Sequence, residues 1–271
     1  MVGHAHGTCV CPGCGLVAQF LTRRQVNIYS CPACGLAFGE ATDDVVATPA
    51  WYFHDSSGEF STQAEVARRR VPLRKRYYER ILGRPVKRVL EIGCGHAAWA
   101  GAWQELGCDY VGVEYEPEVA AEARALTGAE IVGGNFTRVD IQGVFDVIFL
   151  SQVLEHVGNP IEFLGKARSL GALIHVDVPN HASVMSLLRM IAHPREYGFI
   201  QPPHHLLAYT PKSLRKLFVH CGFRPVEIKP FRNNHKIFGQ LAKPGVLSRL
   251  IYAISDVMGR GSLLVGVALS H

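Results

Sequence analysis

Residues 89–92, 145–150 and 172–178 are near-continuous apolar runs of strand length, the pattern expected of strands buried on both faces. Residues 109–114 read as a further strand that ends in an acid, Glu114. A helical period governs the run that begins near Ser61, where Val66, Val71, Leu73, Tyr77, Ile81 and Leu82 would give a helix one buried side. Val246, Leu247, Leu250, Ile251, Ile254 and Val257 recur at helical spacing within 232–260, and packing or a homodimer contact is the plain expectation there. No run approaches the ~18 uninterrupted apolar residues of a membrane-spanning helix.

The first apolar run passes directly into Gly93-Cys94-Gly95, with Glu91 just before the turn. A glycine turn after a strand brings backbone N–H groups close to a ligand, as in dinucleotide sites. Glu91 changes that reading. A carboxylate at the mouth of the loop would repel a pyrophosphate, whereas it suits the cationic ammonium and sulfonium of S-adenosylmethionine. Glu114, at the end of the next strand, lies where such folds place a ribose-hydroxyl acceptor, with Tyr115 set against the adenine.

The strand at 145–150 runs into Ser151-Gln152-Val153-Leu154-Glu155-His156-Val157. These residues together resemble the class I S-adenosylmethionine-dependent methyltransferases, in particular the group with a VLEHV signature after the fourth strand. The resemblance covers roughly 86–271 and takes in Pro179-Asn180 after the fifth strand, Pro202-Pro203-His204-His205, Thr210-Pro211-Lys212-Ser213-Leu214, and Gly222-Phe223. It implies an α/β fold: a Rossmann-like seven-stranded class I methyltransferase sheet with helices on both faces, the last strand at 262–269. It also implies cofactor contacts from Glu91, Gly93, Cys94, Gly95, Glu114, Tyr115, Asn135, Phe136, Ser151 and Gln152. Residues 181–209 would form a lid that recognises the acceptor. Two positions depart from the common pattern. Ala97 stands where a third glycine is frequent, at little cost if its φ is negative, and Asn135 stands where an aspartate is frequent.

Chemistry at such a site needs an acceptor held in line and, for a hydroxyl, removal of a proton. Histidine suits that task because it titrates near neutrality. His156 is the first candidate, followed by His204 and His205 in the lid; packing is the alternative role for His156.

The cysteines introduce a second chemistry. Cys11, Cys14, Cys31 and Cys34 form two Cys-Pro-x-Cys-Gly knuckles separated by sixteen residues, the spacing of a four-thiolate zinc ribbon over residues 1–44 with structural Zn2+. Cys9 is left out of that set. Cys94, Cys108 and Cys221 read as small buried hydrophobes.

Between the ribbon and the domain at 86–271 lies a basic helical connector, 45–85, with Arg68, Arg69, Arg70, Arg74, Lys75, Arg76, Arg80 and Arg84 and few acids. A solvated helix face is the plain reading, and a phosphate-docking surface is the alternative. The 271 residues, 48% hydrophobic and 19% charged, suffice for one large core and a small module. The net charge of +5 permits an anionic partner without requiring one. No secretory signal is visible, so a cytoplasmic protein is expected. The leading functional expectation is O- or C-methylation of a small-molecule acceptor, such as a sugar nucleotide or biosynthetic intermediate. The alternatives are a ribosomal or transfer RNA methyltransferase that grips RNA with ribbon and basic helix, and a non-catalytic binding protein on the same scaffold.

Overall fold

The computed structural model describes residues 7–24, 26–40, 57–193, 195, 197–200, 205–231 and 260–270. The expected helix at 246–257 and His204 lie outside these residues.

Seven strands form the main sheet. In chain order they are β5 (Arg88–Ile92), β6 (Asp109–Glu114), β7 (Glu130–Gly133), β8 (Phe145–Ser151), β9 (Gly171–Pro179), β11 (Phe223–Phe231) and β12 (Leu263–Ser270). Their spatial order is β11-β12-β9-β8-β5-β6-β7. The five strands from β7 to β9 run parallel, while β12 is antiparallel to both of its neighbours. The predicted α/β sheet is therefore present, and its order reverses beside β5, where open α/β sheets bind ligands at their carboxyl edge.

The apolar runs form strands because helices cover both faces. On one face, α1 (Ser57–Leu82) and α2 (Ala100–Gln104) pack Val71, Tyr78 and Trp103 onto Val89, Val147 and Leu173. The Tyr78 and Trp103 rings stack 6.4 Å apart. With them is α3 (Pro117–Thr127), which starts at a proline and stops at Gly128, φ 64°. On the other face lie α4 (Pro160–Leu170), capped by Asn159, and α6 (Pro211–His220), capped by a reciprocal Thr210–Ser213 pair.

The N-terminal module is a small antiparallel sheet of β1 (Thr8–Val10), β2 (Val17–Arg23), β3 (Asn27–Ser30) and β4 (Ala37–Gly39). Its fifth strand comes from the other end of the chain. β10 (Leu207–Ala208) pairs with β4, Leu207 opposite Phe38 and Ala208 opposite Ala37. Leu36 and Phe38 share one hydrophobic cluster with Leu154, Leu206, Leu207 and Tyr209, and Lys216 on α6 donates to the Ala33 carbonyl at 2.7 Å. The ribbon is thus built into the larger domain's core.

The excursion predicted as a lid leaves the carboxyl end of β9 and is tied at its base. Asn180 bridges Tyr209, and the His181 N–H donates to the Tyr209 carbonyl at 2.8 Å. Within it lies α5 (Val184–Ala192), capped by Ser183, with Leu187 and Ile191 exposed. Among the described residues, no helix is long and apolar enough to cross a membrane.

Candidate functional site at the carboxyl edge of the sheet

The turn after β5 has the backbone the glycines foretold. Gly93 and Gly95 have φ of 71° and 54°, and a Cβ at Gly93 would collide with the Val153 side chain. A Cβ at Gly95 would meet nothing within 4 Å, so its Cα borders open space. Ala97 corrects an expectation: its φ is +55°, in the left-handed region, which costs an alanine about 1–2 kcal/mol. Cys94 turns its sulfur onto Gly112, while its N–H donates to the Val113 carbonyl at 3.1 Å and its carbonyl accepts from the Ala97 N–H at 2.8 Å.

Two buried carboxylates flank the turn. Glu114 accepts from the Gly95 N–H at 2.8 Å and from the Glu116 N–H at 3.2 Å. Burial raises its pKa, and those backbone donors pull it back. Glu91 accepts 2.6 Å from the Tyr110 hydroxyl. Burial pushes its carboxyl up to about 8, against the opposing pull of Tyr110 and Arg74. A fixed positive charge is what such a buried acid lacks.

Arg74 was missed at this site, because it sits inside a basic run. Its guanidinium lies between the rings of Trp99 and Phe149, 4.7 and 4.6 Å from their centroids. Nη2 donates to Asp177 at 3.2 Å, whereas Nη1 is buried and has no partner. Asp177 continues a buried chain: His175 Nε2 lies 2.8 Å from Asp177 Oδ1, and Tyr78 Oη lies 2.7 Å from His175 Nδ1. Burial lowers His175, and a neutral ring with its hydrogen on Nε2 satisfies both contacts. Burial pushes the Asp177 carboxyl up, but His175 and Arg74 outweigh it and hold Asp177 below the usual range. The rest of the basic run is largely matched with acids: Arg68 with Glu105, Arg69 with Glu65, Lys75 with Glu79 and Arg84 with Asp146.

The remaining predicted cofactor residues differ in what they leave free. Tyr115 is exposed at the end of β6. Asn135 Oδ1 already accepts from the Thr137 amide at 3.0 Å and its hydroxyl at 2.9 Å. An adenine amino group would ask that oxygen for a third bond. Phe136 is buried with its ring 4.7 Å from Phe163, so only its backbone remains for a ligand. Ser151 ends β8, and Gln152 follows with φ 58°, held by its N–H on the Asp177 carbonyl at 2.8 Å. A left-handed glutamine at a strand end is stored strain at the ligand edge.

The VLEHV segment forms a 3-10 turn, Leu154–His156, after β8. Glu155 is fully buried and neither carboxylate oxygen has a hydrogen-bond partner. His156 and His205 meet edge to face, 4.7 Å between ring centroids. The Leu206 N–H donates to the Glu155 carbonyl at 2.9 Å, and Gly39 donates to the Leu206 carbonyl at 3.0 Å. Glu155, His205 and the ribbon's last strand are therefore stitched in sequence.

In the ribbon, Cys11, Cys14, Cys31 and Cys34 bring their sulfurs within 4.8 Å of one another. Cys11 and Cys34 are 3.6 Å apart, Cys14 and Cys31 3.5 Å, near the ~3.8 Å edge of a tetrahedron built on Zn–S bonds of about 2.3 Å. The Gly13 amide donates to Cys11 Sγ and the Cys34 amide to Cys31 Sγ, which stabilises thiolates. The Cys11 thiol beside it holds Cys34 down at about 5, while Cys11 itself is pushed up. Cys9 is not in the cluster.

Known proteins are similar to this chain over part of its length. A family model described as a methyltransferase domain matches residues 64–228, and so begins within α1. A ubiquinone biosynthesis O-methyltransferase of Cereibacter sphaeroides is 34% identical over 89 residues, 31% of this chain and 36% of that protein. One from Roseobacter denitrificans is 26% identical over 155 residues, 53% of this chain and 62% of that protein. The chain thus spans less than two thirds of either relative. A SAM-dependent methyltransferase from Archaeoglobus fulgidus shares the fold with a TM-score of 0.52 at 20% identity, over 76% of this chain and 94% of that one. The plantazolicin methyltransferase BamL, solved with SAH and a substrate analog, has a TM-score of 0.55 at 15% identity, over 82% and 93%.

Proposed function

The chain belongs to the methyltransferase domain family, and from that membership we propose that it methylates a hydroxyl of a small-molecule acceptor with S-adenosylmethionine. The cofactor, when bound, supplies an electrophilic methyl group on a sulfonium. The Gly95 Cα borders the loop opening, Glu114 holds the ribose hydroxyls, and Glu91 balances the cationic methionine end. The buried Nη1 of Arg74 takes the methionine carboxylate, the one group in the pocket's reach that would satisfy it. Tyr115 lies against the adenine. The acceptor sits between α5 and the His156–His205 pair, which receive or steer its proton; His204 belongs to the same segment.

One observation carries the small-molecule reading: the excursion after β9 leaves the carboxyl edge of the sheet and is tied at its base by the Asn180–Tyr209 bridge. Its exposed Leu187 and Ile191 favour an acceptor with an apolar portion. O-methylation accords with the names of the two relatives, and Arg68, Arg69, Lys75 and Arg84 of the basic run are already paired with acids. Structural Zn2+ on Cys11, Cys14, Cys31 and Cys34 braces β4 and, through β10, the acceptor side.

Incubating the protein with methyl-labelled S-adenosylmethionine and a cell extract, then separating RNA, protein and small molecules, tests the reading. Label in an alkali-stable small molecule supports it. Label confined to RNA contradicts it.

A further inference from the structure

We propose that Glu155, His156 and His205 form a second metal site, separate from the thiolate ribbon, that takes one divalent transition cation. Each offers one ligand atom, and the three atoms lie within 4.8 Å of one another. Ligands on an ion at about 2.1 Å stand about 3–4 Å apart, so a modest inward turn of the side chains completes the set.

The carboxylate is the strongest pointer. Glu155 is fully buried with both oxygens lacking a hydrogen bond. A buried carboxylate left without a partner is costly, and a proton alone leaves the acid with no acceptor for its O–H. A cation between it and two imidazoles satisfies both oxygens and charge together. Burial pushes the Glu155 carboxyl up to about 8 while the site is empty of positive charge.

The histidines are prepared for the same task. His205 Nδ1 lies 3.0 Å from the Phe199 carbonyl, a contact that orients the ring. Leu206 N–H on the Glu155 carbonyl at 2.9 Å fixes the two segments relative to each other, and His156 N–H on the Val153 carbonyl at 2.9 Å closes the turn within the first. Two imidazoles and one carboxylate without thiolate favour Fe2+, Mn2+, Co2+ or Zn2+, and three protein ligands leave coordination positions open. His156 and His205 are half-buried, at the edge of the buried Glu155 carboxylate.

The test needs neither acceptor nor S-adenosylmethionine, so it stands apart from the methyl-transfer reading. Protein whose ribbon already holds one equivalent of Zn2+ is titrated with Co2+ and followed by visible absorption and by metal content after gel filtration. The expected result is one further equivalent, with d–d bands but no intense thiolate charge transfer, at least tenfold weaker in Glu155→Gln and in His205→Ala. Glu155→Gln keeps the shape of the side chain, and its melting temperature reports directly whether the fold is retained. Absence of the second equivalent, or equal affinity in both variants, overturns the site.

Discussion

The hydroxyl of Tyr110 on β6 donates a 2.6 Å hydrogen bond to Oε2 of Glu91 on the neighbouring strand, inside the sheet at the mouth of the glycine turn. It is the one neutral donor on a buried acid that burial holds near pH 8. Binding of a cationic ligand beside Glu91 then requires loss of its proton. Affinity for S-adenosylmethionine should therefore rise from pH 6 to pH 8, by up to about tenfold per pH unit, and level off above. Calorimetry in buffers of different ionisation enthalpy should show about one proton released at pH 7. Tyr110→Phe should shift the rise to higher pH, and Glu91→Gln should flatten it; a flat wild-type profile would rule this account out.

The same acid sets a stability trend in the unliganded protein. A folded pKa raised above the ordinary 4.5 means that the native state holds the proton more tightly than the unfolded chain. The contribution is full below about pH 4.5 and fades as pH climbs through about 8, and Glu155 adds to it in the same direction. Melting temperature should fall across that window less steeply in Glu91→Gln than in wild type.

Glu114 organises the loop, because Oε2 takes the Gly95 amide and Oε1 the Glu116 amide. Glu114→Ala removes both and the ribose acceptor. Affinity for S-adenosylmethionine should drop about 10- to 100-fold, or about 1.4–2.7 kcal/mol, by equilibrium titration. A loss of under threefold would mean that this carboxylate is only a loop brace.

Arg74 separates binding from stability. Arg74→Ala leaves Asp177 buried without its cation and should cost about 3 kcal/mol, read by denaturant unfolding. Arg74→Lys keeps the charge but loses the planar fork, so it should recover much of the stability and little of the cofactor affinity.

Stripping metal from the ribbon should be felt across the domain junction. With Cys14→Ser or a chelator, amides of Leu206 and Ala208, together with those of β3 and β4, should lose hydrogen-exchange protection, while amides of β5 and β8 keep theirs. Unchanged protection at Leu206 would show that the β4–β10 pairing does not depend on the thiolate site.

Much of this architecture could be read in the chain. Near-continuous apolar strands, an acid before a glycine turn and paired Cys-Pro-x-Cys-Gly knuckles are local patterns with one dominant physical solution each. Arg74 could not be read that way. Its sequence neighbours are cations, and only the packing of α1 on β9 turns it inward to Asp177, 103 positions away. The junction of ribbon and domain was hidden for a related reason: β10 is two residues long, and its partner strand lies far away in sequence. Ala97 shows the reverse case, in which a residue that favours negative φ is forced to +55° by the turn around it. Glu155 reads as one letter of a familiar signature, and only its burial without a partner marks it as an open valence.

The central claim is a cofactor pocket built by Glu91, Glu114 and Arg74 around the Gly93–Gly95 turn. Equilibrium titration of the purified protein with S-adenosylmethionine, in wild type and in Glu114→Ala, tests it most directly. The account predicts one site per chain at micromolar affinity or better, weakened at least tenfold by the substitution. No binding to the folded wild-type protein, or equal binding to both, would contradict it.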